Sequence, residues 1–168
     1  MKNMFLSAIV ATATLASCST VSSILQNTFP YNATVLVTSG SPANTILSNV
    51  SAAQSINQLT GSGANVKDIR VSNATISVNS NTSVGLFKSV KVYLSNNGSN
   101  EVLVASREDI PDNVGNSLAL DINSNQVLDK MMKAGSVQQR LVYLLKQSPT
   151  SDISVKTSIG FSSLPITN

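Results

Sequence analysis

The chain has no histidine, and that absence removes a large part of enzyme chemistry. Without imidazole there is no Ser-His-Asp triad and no histidine-ligated metal centre. A single cysteine, Cys18, cannot close an internal disulfide, so any fold must rest on apolar packing. Charge is sparse as well. Asp, Glu, Lys and Arg make up 11% of 168 residues, and the basic ones are scattered singly. A nucleic-acid binder shows clustered cations with interleaved aromatics, and aromatics are only 4% here. No apolar run reaches the eighteen residues a transmembrane helix needs.

What is present begins at the amino terminus. Lys2 supplies a positive start, Met4 to Leu15 a short apolar segment, and Ala16-Ser17 two small residues directly before Cys18. Leu15-Ala16-Ser17-Cys18 resembles the lipobox of bacterial lipoproteins. The resemblance implies cleavage after Ser17, diacylation of the Cys18 thiol and acylation of the new amino terminus. Two or more acyl chains hold a protein stably on a bilayer, at about 0.8 kcal/mol per buried methylene. Residues 1–17 are therefore expected to be a signal peptide and 18–30 a lipidated tether of small polar residues closed by Pro30. Residues 31–168 are expected to form one domain. With Cys18 given to lipid, no thiol remains for a nucleophile or a zinc cage.

Loss of residues 1–17 removes only Lys2 among the charged side chains, leaving ten basic residues against eight acids. Five Asn-x-Ser/Thr sequons, at Asn32, Asn49, Asn73, Asn81 and Asn97, follow from the high Asn, Ser and Thr content. Beside a lipobox they carry little weight as glycan sites.

Alternation of apolar and polar residues marks most of the domain as strand. Tyr31, Ala33, Val35 and Val37 share one parity, and Ser39-Gly40-Ser41-Pro42 ends that run. The spacing of Ile46, Val50, Ala53, Ile56 and Leu59 predicts a helix over about 48–60, stopped at Gly61. From Val66 to Asn79 the apolar parity switches between Val71 and Ala74, which places a bulge at Ser72-Asn73. Leu86 to Ser95 and Glu101 to Ser106 read as a hairpin across Asn96-Asn97-Gly98-Ser99. Leu118, Leu120 and Ile122 predict one short strand. A helix capped by Ser124 or Asn125 would carry Val127, Leu128, Met131 and Met132 up to Gly135. Two further strands cover 137–146 and 153–161. About seven strands with short connections and two short helices predict a mainly β domain, an antiparallel β-sandwich, with a small β-barrel as the alternative.

Three groups of residues invite a chemical reading. Glu108, Asp109 and Asp112 crowd one loop, which reads as a solvated acidic loop before it reads as a cation site. Asp121, Asn123, Asn125 and Asp129 match positions 1, 3, 5 and 9 of a calcium loop. Gln126 replaces the turn glycine and Met132 the bidentate glutamate, so a strand end before a helix is favoured and no metal is expected. Met131, Met132 and Leu128 read as helical core, and Tyr31, Tyr93 and Tyr143 as core-edge residues. No catalytic residue and no cofactor are expected.

Phe87-Lys88-Ser89-Val90-Lys91-Val92-Tyr93-Leu94, Val102-Leu103-Val104-Ala105-Ser106 and Ile110-Pro111-Asp112-Asn113 are similar to segments of short β-sandwich lipoproteins of Bacteroidetes-type bacteria. That similarity implies a fold more than an activity. In such bacteria an acidic stretch after the lipidated cysteine accompanies surface export, and Ser19-Thr20-Val21-Ser22-Ser23 has none. The expectation is a non-enzymatic binding or assembly module. It is anchored in the outer membrane through acylated Cys18, faces the periplasm, and contacts another envelope protein through a sheet edge. The alternative is a surface-exposed adhesin or fimbria-like subunit.

Overall fold

The computed structural model describes residues 27–60 and 65–166. The lipobox, Cys18 and the tether up to Gln26 lie outside them. In β1 (Asn27–Val37) alternation has its expected consequence: Phe29, Tyr31, Ala33, Val35 and Val37 are buried while the residues between them face water. The strand begins four residues before position 31, because Phe29 stacks on Phe161 with ring centroids 5.2 Å apart. The folded domain therefore takes in the end of the segment read as tether.

Among the described residues ten strands form two antiparallel sheets. The first has the order β1, β10 (Ile153–Pro165), β4 (Val66–Val78) and β7 (Ser117–Ala119). The second runs β2 (Ile46–Val50), β9 (Ser136–Leu145), β5 (Phe87–Asn96), β6 (Ser99–Arg107) and β8 (Asp121–Ile122), with β3 (Gln54–Ser55) also paired to β9. Neither sheet closes on itself, so the architecture is a β-sandwich and not a barrel. One apolar core fills the space between the sheets, and its buried residues run from Phe29 to Phe161.

The parity switch in β4 is a bulge at the expected place. Asn73 pairs with Gly160 and Val71 with Phe161, so Ser72 is the extra residue. Val71 and Ala74 are both buried as a result. The β5–β6 turn puts Asn97 at φ 48° and Gly98 at φ 79°, the two positive values of a type I′ hairpin.

Four expectations are corrected. Only α1 (Ile56–Thr60) of the 48–60 helix forms, because residues 46–50 pair with β9 over Leu144 to Arg140. The open hydrogen-bonding edge of β9 outweighs a helical spacing of apolar residues too short to sustain a helix alone. The strand expected over 118–122 is two strands: Leu118 pairs into the first sheet and Ile122 into the second, with buried Leu120 at the crossing. The second helix is only α2 (Asp129–Lys133), with Leu128 at its N-cap and no side-chain cap from Ser124 or Asn125. Finally, the strand count rises from seven to ten, the extra strands being pieces of two to five residues that sequence periodicity does not resolve.

Candidate functional site

On one side of the sandwich the edge strands of both sheets, β1 and β2, lie next to each other without pairing. Sheet edges present unpaired N–H and C=O groups, and proteins usually blunt them with charge or proline. Neither Asn27–Val37 nor Ile46–Val50 contains a charged residue, and Pro30 alone removes a donor. Three large apolar side chains are exposed beside this opening: Ile46 at 75%, Val50 at 52% and Leu36 at 51%. Between the edges lies a cleft of about 430 Å³, whose lining includes Leu36, Ser41, Pro42, Leu47, Asn49 and Tyr143.

One side chain bridges the two edges. Asn49 Nδ2 donates to the Leu36 carbonyl at 2.7 Å and reaches Tyr143 Oη at 3.4 Å. Asn49 thus satisfies an edge carbonyl that would otherwise accept from an incoming strand. The Tyr143 ring meets Phe87 edge-on at 5.7 Å, and burial pushes the phenol's pKa up against the opposing effect of Asn49. The cleft offers amide, hydroxyl and backbone groups around an apolar rim. That chemistry suits extended polypeptide more than a charged small molecule.

Beneath this opening sits a buried polar cluster that ties the sheets together. Tyr31 Oη lies 3.0 Å from the carbonyls of both Ala52 and Val137 and 3.2 Å from Ser51 Oγ. The Gln139 backbone N–H donates to Ser51 Oγ, while Gln139 Nε2 donates to the Tyr31 carbonyl at 2.8 Å. Thr157 Oγ1 donates to Gln139 Oε1 at 2.6 Å. Among the described residues no buried side-chain polar atom lacks a partner. Strands β1 and β10 of one sheet are thereby bonded to β9 and the β2–β3 link of the other. Tyr31 is fully buried inside the core and not at the core's edge, whereas Arg140 lies over the Tyr93 ring at 4.8 Å on the outer face. Gln139 carried a readable signal: it is the one polar residue on the otherwise apolar buried parity of β9, between Val137 and Leu141.

The residues singled out as cation candidates disperse to other tasks. Asp121 accepts from Arg107 at 3.0 Å. Asp129 accepts the backbone N–H groups of Asp68 and Ile69 at 3.0 and 2.7 Å, anchoring α2 to β4. Asn123 Nδ2 donates to Gln126 Oε1, and the Asn125 carbonyl accepts from Arg70. In the acidic loop, Glu108 pairs with Lys91 at 3.0 Å and raises that ammonium's pKa, while Asp112 pairs with Lys146. Among the described residues no three acidic or cysteine side chains converge as a metal site. Met131 and Met132 are buried, as a core stripe would be. No helix among them is long and apolar enough to cross a membrane. The chain matches no family model and no curated protein.

Proposed function

We propose that this protein is a lipid-anchored envelope module, moored in the outer membrane by acylated Cys18 and facing the periplasm, that binds another envelope protein through its open sheet edges. The activity is binding, not catalysis. The observation that carries the reading is the neighbouring pair of uncharged edges, β1 and β2, with Leu36, Ile46 and Val50 exposed beside them. A partner strand laid along β2 would gain main-chain hydrogen bonds, and the apolar rim would receive its alternate side chains.

Two measurements test it. Cys18→Ser should abolish acylation and release the mature chain from membranes; continued processing and membrane association would overturn the anchor. Photocrosslinkers placed at Leu36 and Ile46 in intact cells should give discrete protein adducts, and one at Ser158, on the outer face of β10 and away from the β1–β2 opening, should not. Ile46→Lys with Val50→Lys should lower the Leu36 adduct about tenfold or more, the effect of replacing both exposed apolar anchors of β2 by charge. Equal adducts from Ser158, or no effect of the lysines, would refute the edge as the binding surface.

A further inference from the structure

Charge is unevenly placed along the strand axis. At the end where β1 begins, Lys67 pairs in register with Leu164 and Arg70 with Ser162, one strand over from the Asn27–Ser163 pair. The Asp129 carboxylate fastens α2 to the same end, bringing Lys130 and Lys133 there. With Arg140 and Glu101, which pair beside the β5–β6 turn, five cations thus face three carboxylates, Asp68, Glu101 and Asp129, all of which are drawn into local bonds. Towards the opposite end, Lys88, Lys91, Arg107, Lys146 and Lys156 meet five carboxylates, at Glu108, Asp109, Asp112, Asp121 and Asp152. Lys67 and Lys130 are exposed and pair with no carboxylate among the described residues.

The cationic end also exposes aliphatic side chains. Val127 is 49% exposed and Ile166 42%. Val127 borders a groove of about 380 Å³ that Val102, Leu128 and Met131 also line, with Lys130 and the Arg140-paired Glu101 among its polar residues. Exposed aliphatic side chains among lysines are the composition of a surface that settles into a headgroup region. The chain reaches this end from Cys18 over nine residues, a span of at most about 30 Å at full extension.

We propose that this end of the sandwich, centred on Lys67, Lys130 and Val127, docks on the anionic headgroups of a phospholipid bilayer. The inference rests on the lipid-anchored reading for what holds this end near a membrane, and it adds that the protein body itself contacts the bilayer. Such contact would orient the β1–β2 opening, whose edges run along the strand axis, roughly upright from the membrane surface.

The test uses the mature chain from position 18 with Cys18→Ser, which retains every buried core residue from Phe29 to Phe161. Its co-sedimentation is measured with phosphatidylcholine vesicles and with vesicles holding roughly one-third phosphatidylglycerol. Two net charges at roughly fivefold each predict about 30-fold tighter binding to the anionic vesicles at low salt. Raising salt to about 0.5 M should remove most of that preference. Lys67→Gln with Lys130→Gln should abolish it at an unchanged melting temperature, while Lys88→Gln with Lys91→Gln at the far end should leave it intact. Equal binding to both vesicles, or an equal loss from the far-end pair, would overturn the proposal. Because no acyl chain is present, such a failure leaves the Cys18 anchor to stand or fall on its own test.

Discussion

Tyr31 combines a ring wholly inside the core with a hydroxyl among the Ala52 and Val137 carbonyls and Ser51. Its pKa is raised, chiefly by burial and against the hydrogen bonds from Ser51 and Gln139. A phenol whose folded pKa exceeds its unfolded value near 10 is held protonated by folding. Its contribution to stability is full below that value and is lost as pH rises through the higher, folded one. Chemical denaturation should therefore show stability declining above about pH 10, with part of the decline removed by Tyr31→Phe. At neutral pH the same substitution should cost about 1–2 kcal/mol, the loss of one buried hydrogen bond with its carbonyl left unpaired. A Tyr31→Phe variant with unchanged stability at pH 7 would show the hydroxyl to be idle. The alternation of residues 31–37 made the burial of this ring readable; the hydroxyl's partners, 20 to 106 positions away, were not.

At the scale of elements, the long strands were legible and the short ones were not. β1, β4, β5, β6, β9 and β10 have nine to thirteen residues each, long enough for period-two alternation to show in the sequence. β2 misread as helix because five residues fit either period, and pairing with β9 decided between them. β1 also sets where the domain begins. A chain starting at Asn27 should melt at the temperature of the mature protein, since every core residue is kept. A chain starting at Ala33 loses Phe29 and Tyr31, two buried aromatic side chains whose removal costs about 3–5 kcal/mol each. It should be unfolded at 37 °C by far-ultraviolet circular dichroism; a cooperative melt above that temperature would show that the strand starts later.

For the whole molecule, the buried polar cluster joins the two sheets by directed bonds inside a largely apolar interface. Gln139 is 1% exposed and is its hinge, bonded to Tyr31 in one sheet edge and to Thr157 in the next strand. Gln139→Leu keeps much of the volume but leaves the Tyr31 carbonyl and the Thr157 hydroxyl without those partners. The expected loss is about 2–3 kcal/mol in urea unfolding, with cooperativity retained. Adding Thr157→Val to Gln139→Leu should recover about 1 kcal/mol by removing one unpaired group. If the double variant is less stable than the single one, packing and not polar satisfaction governs this part of the core.

Composition and alternation were enough to reveal a histidine-free, disulfide-free sandwich of antiparallel strands, with its β4 bulge and its Asn97-Gly98 hairpin, because burial parity and turn geometry act over a few neighbouring residues. Which edges lie side by side, that Asn49 stops the Leu36 carbonyl, and that the calcium-spaced side chains part company to Arg107 and the β4 backbone were decided by packing. Those contacts join residues 13 to 61 positions apart. No local period encodes a meeting between positions so distant; it exists only once both sheets have formed and closed on one core.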